Sequence, residues 1–158
     1  MIELLSITPF SWKAIGTTVL CGSLVGLERQ IRGKPVGIRT SSLIVMGTYL
    51  FVTISTLVSN DVSDPSRIIG QVVTGIGFLG AGVMLAKEGM VVGVTSAATI
   101  WSLAAIGVCI ALISEPVAIK LALVVVAILH GVDLLEAYSS KFTRGVHARY
   151  SGWRNPSK

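Results

Sequence analysis

Four ionisable residues stand out by type and spacing: Glu28, His130, Asp133 and Glu136. The last three follow one another at i, i+3 and i+6, so Asp133 and Glu136 share one face of a helix. Three carboxylates at one depth could ligate a hard cation such as Mg²⁺, which takes one or two carboxylates and keeps several waters. The simpler reading is an ion-pair belt in which these carboxylates neutralise Arg29, Arg32 and Arg39. His130 reads first as an interhelical hydrogen-bonding group and second as part of a proton-responsive cluster, since imidazole changes charge near neutral pH.

Enzyme chemistry is not in view. The chain carries no nucleophile elbow, no HExxH, no CxxC and no lysine following its glycines in P-loop spacing. GIGFLGAG, Gly75 to Gly82, has the look of a dinucleotide fingerprint. That motif must close a strand and open a helix in a βαβ unit, whereas here Gly75, Gly77, Gly80 and Gly82 lie within an apolar run from Ile68 to Ala86. At about 1.5 Å per residue such a run spans roughly 28 Å, close to the thickness of a bilayer's hydrocarbon core. In water each helical glycine costs on the order of 1 kcal/mol; in a membrane, small residues let helices approach closely. The run is therefore expected to be a packing spine.

The elements that must position these groups are membrane spans. Only 13% of the 158 residues are charged and 52% are hydrophobic, against about 25% charged in soluble domains, and mean hydropathy is +0.78. The expected fold is all-α: a compact bundle of five transmembrane helices over residues 10–27, 40–59, 68–86, 94–113 and 117–135, with residues 1–136 as the membrane domain and 137–158 as a basic tail. Trp12 anchors the first span at the interface, and Pro116 fits the first turn of the fifth. The N-terminus lacks the basic region of a cleaved signal. Cys21 and Cys109 fall inside spans without neighbours at metal-ligand spacing and read as small buried hydrophobes.

Ten of the thirteen Lys and Arg residues fall on the side holding the first connection, the third connection and the C-terminus. By the positive-inside rule that side is cytoplasmic, which leaves the N-terminus outside. The net charge of +5 is thereby a topology signal rather than a nucleic-acid surface. Two segments echo each other, Glu28 to Ser42 and Lys87 to Ala98. Each runs from charge through a glycine into a hydroxyl-rich helix start, which fits either a parallel repeat or ordinary capping preference. Thr95, Ser96 and Thr99, with Trp101 beyond, read as caps and intrahelical hydroxyl bonds, or as a polar niche facing the glycines. Gly37, after Pro35, fits a turn that leaves Arg39 able to reach headgroup phosphates or Glu28.

Three ordered motifs carry a resemblance: SLVGLERQIRGKPVGIRT (Ser23 to Thr40), GIGFLGAGVML (Gly75 to Leu85) and GVTSAATIWSLAAIG (Gly93 to Gly107). Together they resemble the MgtC/SapB family of bacterial inner-membrane proteins. The resemblance implies five helices in the inner membrane and a link to magnesium limitation, acid stress or virulence. It implies a regulator that contacts itself, as a homodimer, or another membrane complex such as the F-type ATP synthase, rather than an enzyme or a nucleic-acid binder. It also marks Glu28, Arg29, Gly37, Arg39, Thr40, Thr95, Ser96, Thr99 and Trp101 as motif positions. The better-studied members continue into an ACT-like domain where this chain has only a short tail, as in the SapB-type branch. A non-enzymatic regulator without a cofactor is the leading expectation. A Mg²⁺ transporter or sensor using Glu28, Asp133 and Glu136 is the alternative.

Overall fold

The computed structural model describes residues 6–58, 65–87 and 90–138, but not the side chains of Pro65, Ser66, Lys87, Met90, Asp133, Leu135, Glu136, Ala137 or Tyr138. Five helices account for nearly all of it: α1 (Trp12–Ile31), α2 (Ile38–Val58), α3 (Pro65–Gly82), α4 (Val94–Leu112) and α5 (Glu115–Tyr138). The five-helix all-α expectation holds, with ends shifted by a few residues. Of the expected tail, Ala137 and Tyr138 continue α5, and the rest lies outside the described residues.

One connection departs from expectation. The third helix stops at Gly82 instead of reaching Ala86, and β1 (Leu85–Lys87) pairs antiparallel with β2 (Met90–Val92) in the register Leu85 to Val92. Gly93 closes this hairpin with a left-handed φ of +93°, and a Cβ there would run into the Val83 carbonyl. Three glycines in the last six residues of α3 weaken it as a helix, while Val91 and Val92 favour extended backbone. Local propensity wins at the end of the span.

By length and composition α2, α4 and the Glu115–Val132 part of α5 can each cross a membrane; the apolar part of α3, Arg67–Gly82, is shorter. The surface agrees with a lipid environment. Phe51, Phe78, Leu57, Leu123 and Ile128 all point outward, and a continuous apolar exterior is unsuited to water. Polar atoms on α1 are turned inward and bonded locally: Thr17 donates to the Lys13 carbonyl at 3.0 Å and Thr18 to that of Ile15 at 2.7 Å.

Packing centres on α1, α2 and α4, with α5 against α1 and α4, and α3 at the edge against α4. The closest approach is between α1 and α2. A Cβ on Gly26 would sit 2.5 Å from the Ile38 Cα, and one on Gly22 would overlap the Ser42 backbone. Gly107 of α4 is similarly pressed, with the Val45 carbonyl 2.6 Å from a would-be Cβ. Val25, Val45, Val52, Ile100, Leu103 and Ile106 fill the core between them. The turn from α1 to α2 holds Val36 at φ +70°, a conformation that strains a β-branched residue by roughly 1–3 kcal/mol. Ser41 Oγ donates to the Val36 carbonyl at 3.0 Å, and Gln30 Oε1 accepts from the Ile38 N–H at 3.3 Å.

The glycines of α3 supply little of the close packing among the described residues. Among the described residues nothing lies within 4 Å of a Cβ placed on Gly75, Gly77 or Gly82, and Gly80 makes only ordinary contact with Ala97 at 3.6 Å. Close packing inside the chain uses Gly22, Gly26 and Gly107 instead. Gly26→Val is accordingly expected to lower the melting temperature of detergent-solubilised protein, with overpacking costing about 1–3 kcal/mol. Gly75→Ala is expected to leave it unchanged or raise it. Equal destabilisation by both would contradict the packing described.

Candidate functional site

The ionisable side chains gather where α1 ends, α4 begins and α5 approaches its C-terminus. Arg29 is 4% exposed and its Nη2 donates to Ser96 Oγ at 2.7 Å, tying α1 to the first turn of α4. The Arg29 guanidinium is always charged, so it can lie this deep only where polar groups receive it. Ser96 is such a group, itself 2% exposed. At the C-cap of α1, the Arg32 guanidinium reaches two side chains on different helices. Its Nε lies 2.6 Å from Glu28 Oε1, and its Nη2 lies 2.6 Å from His130 Nδ1 on α5.

Glu28 is nearly as enclosed as Arg29, with a side chain 7% exposed. Its Oε2 is buried with no hydrogen-bond partner among the described residues. The carboxylate therefore depends on Arg32, an i, i+4 partner whose orientation suits a helix. Arg32 is always protonated and can only donate. His130 Nδ1 must accept, which leaves the imidazole neutral with its proton on Nε2. His130 thus fills the interhelical role expected of it.

The motif positions divide sharply. Glu28, Arg29 and Ser96 meet at this end of the bundle. Thr99 is buried, but its hydroxyl donates back to the Thr95 carbonyl at 2.7 Å, so it serves its own helix. Thr95, Arg39 and Thr40 are exposed, and Trp101 faces outward at 57% exposure. Gly37 lies against Gln30, whose Oε1 would be 2.9 Å from a Cβ; it makes room for the side chain that caps α2. Gly75, Gly77 and Gly82 stand apart on the open side of α3. Asp133 and Glu136 lie on α5, but their side chains are outside the described residues, and no cluster of three acidic, His or Cys ligands occurs among the described ones. Cys21 and Cys109 are free and buried.

Arg32 is the residue whose role the sequence least announced. The Glu28–Arg32 spacing is a common helix-surface pair, and nothing local reveals that α5 arrives beside it. The Gly22 and Gly26 pair did carry a signal, since small residues four apart let helices touch.

The chemistry of this cluster is charge compensation at low dielectric. Removing one partner of an enclosed ion pair costs more than replacing both. Arg32→Gln is therefore expected to destabilise the protein more than Glu28→Gln, and the double variant is expected to recover part of the Arg32→Gln loss. Thermal unfolding in a fixed detergent tests this; a double variant no better than Arg32→Gln would refute the dependence of Glu28 on Arg32.

Comparison with known proteins places this geometry in a wider group. A protein-family model described as the MgtC family matches residues 15–138, which takes in all five helices except the first turn of α1. Among relatives, the "Protein MgtC" of Brucella abortus is 47% identical over 105 residues, covering 61% of this chain and 43% of that protein. The Escherichia coli K12 protein named "Putative magnesium transporter YhiD" is 47% identical over 108 residues, covering 64% of this chain and 50% of that protein. The "Protein MgtC" of Salmonella typhimurium is 48% identical over 91 residues, or 57% of this chain and 38% of that protein. The chain thus spans half or less of the length of these relatives. No solved structure matches. With its helices matched from the start of the buried core to the end of α5, this membrane protein belongs to the MgtC family.

Proposed function

We propose that the chain is a non-catalytic, multi-pass protein of the bacterial inner membrane, connected with magnesium homeostasis, that acts by helix contacts with another copy or a partner membrane protein. One observation carries the reading: the outward side of α3. Among the described residues nothing lies within 4 Å of a Cβ on Gly75, Gly77 or Gly82, and Phe78 between them is 87% exposed. Gln71 and Thr74 are exposed on the same helix. Small residues with scattered polar groups favour helix association in lipid, so this side is suited to a second helix. The link to magnesium rests on the name of the Escherichia coli relative. Ten of the thirteen Lys and Arg residues on the side of the C-terminus support its being cytoplasmic.

A cation transporter or sensor is the second reading, favoured by that same name. Against Glu28 as a ligand stands its ion pair with Arg32, since a guanidinium at 2.6 Å competes with any cation for the carboxylate. Asp133 and Glu136 are the residues left to carry it.

Gly77→Leu should reduce self-association or co-purification of a partner by roughly tenfold, the loss of about 1.4 kcal/mol of contact, while membrane insertion stays intact. Unchanged association, read by cross-linking in native membranes, would remove the helix-contact reading. Mg²⁺ flux into liposomes that vanishes in Asp133→Asn would establish the second reading in its place.

A further inference from the structure

We propose that the outward side of the α1–α2 seam seats one anionic phospholipid, its phosphate held by Lys34 and Arg39 and its acyl chains lying along Leu27, Ile31 and Leu43. The sequence leaves Arg39 two possible partners, Glu28 or a headgroup phosphate. The structure removes the first, because the Glu28 carboxylate is enclosed and paired with Arg32. Lys34 and Arg39 are both exposed, and neither has an ion-pair partner among the described residues. The sequence offers no Asp or Glu between Glu28 and Asp61. Both cations stand on a fixed support. The Gly33 N–H donates to the Gln30 carbonyl at 3.1 Å and the Lys34 N–H to that of Arg29 at 2.9 Å. Val36, buried in the core cluster, anchors the same turn from below. Side chains mounted this way lose less freedom when they meet a ligand than those of a loose loop.

The seam supplies the place for the chains. Gly22 and Gly26 of α1 face Ser42 and Ile38 of α2. In an antiparallel pair, the positions one residue after these contacts turn to the same side of both helices. They are Ser23 and Leu27 on α1, and Arg39 and Leu43 on α2. Leu27, Ile31 and Leu43 are all exposed there, while the Ser23 and Ser42 hydroxyls, 3.4 Å apart, lie between the helices. Large apolar side chains on both flanks of two small ones make a shallow groove. Ile31 ends α1 and Arg39 lies in the first turn of α2, so the cations stand where the apolar cover stops, at headgroup depth. The Arg39 guanidinium matches phosphate oxygens in its planar fork, and Lys34 adds a point charge. A zwitterionic headgroup brings its own ammonium to the same place, so the site favours a net anionic one. A free phosphate would meet the cations but leave the groove uncovered.

The test counts lipids retained by the full-length protein in native mass spectrometry, titrated in one detergent with dioleoyl phosphatidylglycerol or dioleoyl phosphatidylcholine. The wild type should bind the anionic lipid more tightly. Lys34→Gln combined with Arg39→Gln should weaken that binding by roughly fivefold for each charge removed and leave phosphatidylcholine binding unmoved. Both positions are exposed, so the double variant should keep the wild-type melting temperature. Arg39→Lys, which keeps the charge but not the fork, should fall between the two. Arg149→Gln combined with Arg154→Gln removes the same net charge elsewhere and should leave the preference intact. No preference in the wild type would overturn the proposal, as would a preference that survives loss of Lys34 and Arg39. An equal loss in the Arg149 and Arg154 variant would reduce the effect to overall charge and overturn it too. Inorganic phosphate, at an ionic strength matched with chloride, should not displace the lipid; displacement would assign the cations to a free anion instead.

Discussion

The fold hangs on the near-contact of α1 with α2. Where Gly22 and Gly26 face the backbone of Ser42 and Ile38, no side chain separates the helices, so dispersion acts between main chains over two turns. In lipid there is no hydrophobic drive to bring helices together, and this close fit supplies the attraction. It also fixes depth. With Gly26 seated on Ile38, the following turn of α1 must carry Glu28, Arg29 and Arg32 to the level where α4 begins. The strained Val36 and the Gln30 cap lie in the short connection that makes this seating possible.

From that seating the electrostatics follow. If α4 began a turn later, Ser96 would be out of reach of the enclosed Arg29 guanidinium and this tie between α1 and α4 would be lost. The hairpin of β1 and β2 sets where α4 starts, and Gly93 is the residue that permits the sharp entry. Arg32 then connects a buried carboxylate on one helix to an imidazole on another. Three helices are joined at one end by Arg29 in the last turn of α1 and Arg32 at its C-cap. At the opposite end the Lys13 and Glu115 pair, 3.8 Å apart and largely open, contributes little. The bundle is electrostatically organised at one end and held by packing at the other.

The position of α3 gives the molecule its asymmetry. It leans on α4 through Gly80 and Ala97 and otherwise presents glycines, Phe78 and Gln71 outward. Among the described residues its glycines make no contact as close as those of the glycines on α1 and α4. On the proposed reading, this is the helix that meets a partner. The same economy of contact marks the second half of α5, and both elements sit beside the charged cluster.

Much was readable from residue order alone. Sparse charge and five apolar runs determined an all-α bundle, because lipid leaves the backbone no partner but its own helix. The buried cysteines and the interhelical role of His130 were legible for the same reason: what lies inside an apolar span must be apolar or partnered. The assignment of the packing glycines was not. GIGFLGAG looks more suited to close approach than the Gly22 and Gly26 pair, yet the latter does the packing. A glycine's effect depends on what faces it, and facing is a property of two helices at once. Likewise Glu28, Arg29 and Arg32 declared themselves as charges near a helix end. Which of them met Ser96, and which met His130, was decided only when the α1–α2 contact fixed the rotation and depth of α1 against α4 and α5.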